Sequence, residues 1–272
     1  MSDHPNPAQE ASSSPTRPFT ALLVALQFLT ISPALIKRAF TPRELGRSTG
    51  FFPLVGLLMG VVLIAANLFL AHIFPSGIRA ACVLAIWVLL SGGLHLDGFL
   101  DSCDGLLGGF TPESRLEIMR DERVGAFGLA GGVLLLLLKY SALLALPILS
   151  PGLWLAPVLG RWGMTAAIYF FPYARAQGLG KAMKDNTSHW ELILASLLSL
   201  AAAGLSGNLH ALPACLLAAG IIWAGAHFAL HRIPGLTGDI YGALNELVEL
   251  TVLLVFAVGV SSSGPFFPQL RA

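Results

Sequence analysis

Three aspartates, Asp97, Asp101 and Asp104, recur at i, i+4 and i+7. On a helix that spacing puts their carboxylates on one stripe within about two turns. Like charges so placed repel one another, and a bound divalent cation removes the penalty. Ligands that are all oxygen suit Mg²⁺ or Mn²⁺ rather than Zn²⁺. His95 points off the stripe if the helix continues, so it reads as a packing or supporting residue before a ligand. The stripe belongs to residues 92–125, GGLHLDGFLDSCDGLLGGFTPESRLEIMRDERVG, which hold seven of the chain's fifteen carboxylates. Glycines flank the acids, and glycine permits close backbone approach to a ligand or another helix.

Other polar residues extend the candidate site. Thr111-Pro112 reads as an N-cap followed by proline at the first helical position, opening a short amphipathic helix with Leu116, Ile118 and Met119 on its apolar side. Arg120 and Arg123 are candidates for holding phosphate, with Asp121 as a further metal acid. Arg115 and Glu117 read as a salt-bridged surface pair. Arg161 lies inside an apolar segment, where a guanidinium needs an acid or a substrate phosphate. Lys139 also lies inside a span, where snorkelling accounts for it as well as function does. Asp239, Glu246 and Glu249 share one helical face, with Asn245 nearby, and suggest a second half of the site.

The elements that position these residues are membrane helices. The chain is 55% hydrophobic and only 11% charged, less than half the roughly 25% of soluble domains. The apolar residues come in long runs, which predicts an all-α, polytopic helical bundle and excludes a β-barrel. The near-zero net charge gives no basic surface for nucleic acid. Cys82, Cys103 and Cys215 lack metal-ligand spacing and read as reduced thiols. Residues 1–18 read as a disordered tail, 19–262 as one transmembrane domain and 263–272 as a second tail. Predicted segments are 19–36, 51–71, about 80 into the acidic stretch, 128–149, 153–171, 190–207, 211–230 and 240–260. Gly56 and Gly60 form a GxxxG pair suited to close helix packing. That makes seven or eight spans. Seven is preferred, because segment 19–36 is short and contains Pro33.

The connections at 37–50, 101–126, 172–189 and 231–239 carry eleven Lys or Arg, and the alternate connections carry one, Arg79. By the positive-inside rule the charged end faces the cytoplasm. Acids for a metal, arginines for phosphate and a site at the cytoplasmic rim suit phosphoryl or nucleotidyl transfer. There is no Walker A motif, nucleophile motif or zinc-binding spacing.

GGLHLDGFLDSCDG followed by IMRDERVGAFG resembles the signature of the adenosylcobinamide-GDP ribazoletransferase (cobalamin synthase) family. FFPLVGLLMG, GRWGM, YARAQGLG and GLTGDIYGALNELVEL extend the resemblance, in order, over residues 20 to 255. The resemblance implies a Mg²⁺-dependent enzyme of the bacterial inner membrane that acts late in cobalamin assembly. Such enzymes join adenosylcobinamide-GDP to α-ribazole or its 5′-phosphate and release GMP. Carried onto this chain, Asp97, Asp101 and Asp104 would hold the metal. Arg120, Arg123, Arg161, Arg175, Lys181 and Asn245 would contact substrate. Asp121, Asp239 and Glu246 are candidate bases, with His95 behind them. The bilayer is a partner, and a homo-oligomer or association with other corrinoid-assembly enzymes is compatible with the resemblance. Asp101-Ser-Cys-Asp104-Gly105 also matches the start of the CDP-alcohol phosphotransferase motif, but Leu107-Gly108 replaces the expected Ala-Arg and the second aspartate pair is missing. A cation-coupled transporter ranks lower, because the acids sit at one rim and no repeat is visible.

Overall fold

The structure is a computed structural model, and it describes residues 18–261. Of the expected tails, 1–18 and 263–272, residues 1–17 and 263–272 lie outside the described residues, and Pro18 already opens α1. Twelve α-helices are described: α1 Pro18–Leu29, α2 Pro42–Ser48, α3 Phe52–Ala71, α4 Ser76–Leu90, α5 Leu94–Cys103, α6 Pro112–Ile118, α7 Ala126–Ala145, α8 Pro151–Phe170, α9 Leu179–Asn186, α10 His189–Leu205, α11 Ala211–Leu230 and α12 Gly238–Ser261. Among the described residues the only β pairing is a single bridge, Tyr173 to Leu236.

Local chemistry explains the helix starts. Thr41, Thr111 and Ser188 each cap a helix through a side-chain oxygen that accepts from a backbone N–H, and the N3 side chain returns the bond. These reciprocal pairs satisfy donors that a helix start leaves orphaned. Pro42, Pro112 and Pro151 stand at the first turns, where a missing N–H costs nothing. The predicted Thr111-Pro112 start is therefore present.

Helix α8 lies inside the bundle, and fifteen of its twenty residues are buried. It packs along α3 and α12. Gly56 and Gly60 are where α3 comes closest. A Cβ on Gly56 would lie 2.2 Å from the Pro157 carbonyl oxygen, and one on Gly60 would lie 2.6 Å from Trp154 Cβ. The predicted GxxxG pair thus acts by removing two side chains from this contact. On the outside, Val61, Val133, Leu137, Leu197 and Leu216 are exposed, as a lipid-facing surface requires.

Four helices are long and apolar enough to cross a membrane, or up to six if each of two bent pairs forms one span. This is fewer than the seven or eight expected, for two reasons. Helix α1 has 12 residues, about 18 Å at 1.5 Å per residue, against a hydrocarbon core of about 30 Å. Helix α8 has the length, but it is lined by neighbouring helices and carries Arg161, so it need not be apolar all round.

One bent pair is α4 and α5. Their axes meet at 91°, and the turn uses Gly92 at φ 62° and Gly93 at φ 72°. Both lie in the left-handed region that glycine enters without a Cβ clash. The bend carries the acidic helix across the ends of α7 and α12.

The four charged connections touch one another. Asn186 packs on Gly46, Ala174 N–H donates to Leu236 O at 2.8 Å, and Arg115 Nη1 donates to Arg232 O at 3.2 Å. All four therefore gather at one end of the bundle, as the charge count requires. Arg115 also donates through Nε to Gly109 O at 2.9 Å, so it ties connections together rather than pairing on the surface with Glu117.

Candidate active site

Helix α5 is held by glycines on two sides. A Cβ on Gly98 would lie 2.9 Å from Asp239 O, and one on Gly242 would lie 3.2 Å from His95 Cα, so α5 and α12 cross nearly backbone to backbone. On the other side a Cβ on Gly132 would lie 3.0 Å from Leu100 Cδ1. The glycines of the acidic stretch and of α7 therefore admit helices.

The three aspartates differ in environment. Asp104 is 8% exposed, and both of its oxygens are engaged. It accepts from Gly125 N–H at 2.7 Å and from Gly128 N–H at 2.8 Å. These are the N-cap and N3 amides of α7, so the Asp104 carboxylate caps that helix at the positive end of its dipole. The carboxylates of Asp97 and Asp101 make no hydrogen bond or ion pair to a described residue. Asp101 lies within electrostatic reach of Asp97, Asp239, Asp104 and Arg175. Asp239, from the first turn of α12, accepts from Arg175 Nη2 at 2.8 Å and from Thr237 Oγ1 at 3.2 Å. Arg175 Nε is buried without a partner. Asp97, Asp101, Asp239 and Arg175 thus form one cluster at the charged end, with Tyr173 beside it.

A second cluster lies deeper on α12. Lys139 Nζ donates to Glu246 at 2.5 Å and to Glu249 at 2.7 Å. Arg161 Nη1 donates to the other oxygen of Glu249 at 3.0 Å and to Pro157 O at 3.2 Å. All four side chains are at least nine-tenths buried. Two cations and two carboxylates cancel, which is how such a group tolerates an apolar surround. Lys139 does not snorkel. It is 3% exposed and also lies over the Trp87 ring at 4.9 Å. His95 is 2% exposed and within reach of Arg161, Glu249 and Lys139. Asn245 lies against Gly160. Arg161 Nε and Nη2, both Asn245 amide atoms and His95 Nε2 are buried without partners.

The remaining candidates stand apart. Asp121 and Arg123 pair bidentately on an exposed loop, at 2.9 and 2.7 Å. The guanidinium holds the Asp121 carboxyl at about 2, so this group stays ionised and is a weak base. Lys181 pairs with Asp185 one turn on, both at the surface. Arg120 is exposed, within reach of Tyr173. Sequence reasoning overlooked the stacked rings of Tyr173 and Tyr241, centroids 6.1 Å apart. Their period in the chain carries no signal. It also left Lys139 without a partner, although one Lys, one Arg and two Glu in otherwise apolar spans sum to zero charge.

Among the described residues no three His, Cys, Asp or Glu side chains converge as a ready metal site. Mg²⁺ does not need such a cage. It keeps several waters and is commonly bound by one or two carboxylates together with substrate phosphates. Asp97 and Asp101, unpaired and one turn apart, fit that donor set.

The chain matches the family model described as Cobalamin-5-phosphate synthase over residues 21–257. It is 44% identical over 244 residues to an adenosylcobinamide-GDP ribazoletransferase of Pseudomonas fluorescens, covering 87% of this chain and 98% of the relative. It is 43% identical over 242 residues to a protein of the same name from Pseudomonas syringae pv. syringae, covering 86% and 98%. No solved structure gives a significant match.

Proposed function

The chain belongs to the Cobalamin-5-phosphate synthase family, and on that premise we propose that it is an adenosylcobinamide-GDP ribazoletransferase of the bacterial inner membrane. It joins adenosylcobinamide-GDP to α-ribazole or its 5′-phosphate. A ribazole hydroxyl oxygen forms a bond to the phosphorus next to cobinamide. The P–O bond to GMP breaks, GMP leaves, and the hydroxyl proton passes to a base or to water.

The observation that carries this reading is the meeting of Asp97 and Asp101 with Asp239 and Arg175 at the charged end. Three carboxylates and one guanidinium crowd there, on the side that faces the cytoplasm and its nucleotides if the positive-inside rule holds. Asp97 and Asp101 would hold Mg²⁺, which supplies charge neutralisation for the diphosphate and the departing GMP. Arg175 is set to hold a phosphate oxygen, with its unpartnered Nε available for a second bond. Asp239 is the best-placed base, because it belongs to the cluster. Asp121 lies apart from the cluster, on an exposed loop, and Glu246 lies two turns deeper, bound to Lys139. Arg161 and Asn245 are buried beneath the cluster and support it from below. Asp104 fixes α5 against α7.

The test is GMP release from adenosylcobinamide-GDP by purified protein in bilayers. Release should require both α-ribazole (or its 5′-phosphate) and Mg²⁺, and should vanish with EDTA. Release without ribazole, or undiminished by EDTA, overturns the reading.

A further inference from the structure

Tyr173 stands at the edge of the acidic cluster, and its position is fixed from three directions. Ala174 N–H donates to Leu236 O and Leu236 N–H donates to Pro172 O, both at 2.8 Å. These two bonds tie the chain on either side of Tyr173 to the connection that leads into α12. The ring stacks on Tyr241 of α12, with centroids 6.1 Å apart and planes at 27°. Beyond Tyr173 the chain turns at Gly178, φ 117°, and comes back against the ring. A Cβ on Gly180 would lie 2.6 Å from the Tyr173 hydroxyl oxygen, so only glycine lets the start of α9 approach it this closely. On another side of the oxygen is the amide of Gly238, at the start of α12. Stacking on Tyr241 requires a ring and no hydroxyl, yet the backbone is arranged around the oxygen.

The charges around that oxygen are those of the candidate site. Arg175, Asp239 and Arg120 all lie within electrostatic reach of it, and Arg175 binds Asp239 at 2.8 Å. The Tyr173 ring is partly buried, whereas Tyr241 is 3% exposed, so Tyr173 is the member of the pair that a substrate can reach. Burial pushes its phenol above the ordinary range, against the lowering pull of the two arginines, and it keeps its proton at neutral pH. Among the described residues no group accepts that proton. A neutral O–H donor beside two guanidiniums suits a phosphate oxygen. We propose that Tyr173 is a substrate-binding residue of this site, and that its hydroxyl donates to a non-bridging oxygen of the adenosylcobinamide-GDP diphosphate. The assignment rests on the transfer reaction proposed above. Tyr173 keeps its proton and forms no covalent bond. Charge on the phosphoryl oxygens is redistributed as the bond to GMP breaks, and a donor fixed in place beforehand stabilises it without reorganising.

The test is Tyr173→Phe in the full chain, which keeps the ring and removes only the hydroxyl. Two measurements are made in bilayers: calorimetric binding of adenosylcobinamide-GDP with Mg²⁺ and without ribazole, and GMP release with α-ribazole present. A hydrogen bond to a charged oxygen accounts for about tenfold in affinity, so binding should weaken about tenfold. The kcat should fall by about 100-fold, while the KM for α-ribazole stays within about twofold and the thermal midpoint does not move. Tyr241→Phe, which removes a buried hydroxyl that makes no hydrogen bond, should change neither binding nor turnover. Undiminished binding and kcat in Tyr173→Phe overturn the proposal. So does an equal loss in Tyr241→Phe, or a loss that comes with a lowered midpoint, since either assigns the effect to the ring pair. A wild type that releases no GMP overturns the transfer reaction instead, and the binding comparison then decides the role of Tyr173 by itself.

Discussion

Asp97 and Asp104 lie on one stripe and do different work. Asp97 is exposed and its carboxylate makes no hydrogen bond to a described residue, so Asp97→Asn should lower turnover by at least about 100-fold and leave the thermal midpoint unchanged. Asp104→Ala removes the cap of α7 and should cost about 1–2 kcal/mol of stability, read as a lowered midpoint in detergent. If both variants lose activity without any loss of stability, Asp104 acts on substrate or metal rather than as a cap. Lys139→Met leaves Glu246 and Glu249 facing only Arg161 and should cost about 3–5 kcal/mol, seen as lost thermal stability or lost folded yield. The stripe was legible because a helix fixes the direction of residues three and four apart. The partners were not, because Asp104 reaches 21 and 24 residues along the chain and Lys139 reaches 107 and 110. No local period encodes such distances.

At the level of elements, glycine placement decides how near the acids come to the rest of the site. Gly98→Ala would push a methyl against the backbone of Asp239. That should cost about 1–3 kcal/mol and lower kcat more than tenfold, since Asp97, Asp101 and Asp239 would separate. Gly220→Ala on α11 meets nothing within 4 Å and should leave activity intact while raising stability by up to about 1 kcal/mol. Equal effects of the two changes would remove the crossing from the account. Sequence reading found the glycines and the Thr111 cap, since both are local, and passed over the caps at Thr41 and Ser188. It did not find the right-angle turn at Gly92 and Gly93, because two adjacent glycines permit many directions and the packing of α5 on α7 and α12 selects one.

For the whole molecule, the charge count foretold that the four charged connections gather at one end, because it sums over connections that need not be individually placed. In a background lacking Cys82, Cys103 and Cys215, all of them free thiols, Glu113→Cys should resist an impermeant maleimide in intact cells and react after lysis. Leu209→Cys, 92% exposed at the opposite end, should react in intact cells. The reverse pattern would turn the acidic cluster away from the cytoplasm. The span count was less legible, since α8 lies within protein and its composition follows its neighbours.

The carboxylate of Asp104 also decides what the connection from α5 to α7 must do. The start of α7 is placed by a contact with the preceding polar helix, so residues 120–124 between α6 and α7 need not measure out the distance. Closing a longer loop costs only about 0.6 kcal/mol for each doubling of length. The two sides of the site consequently keep their register through this contact rather than through the length of the connection.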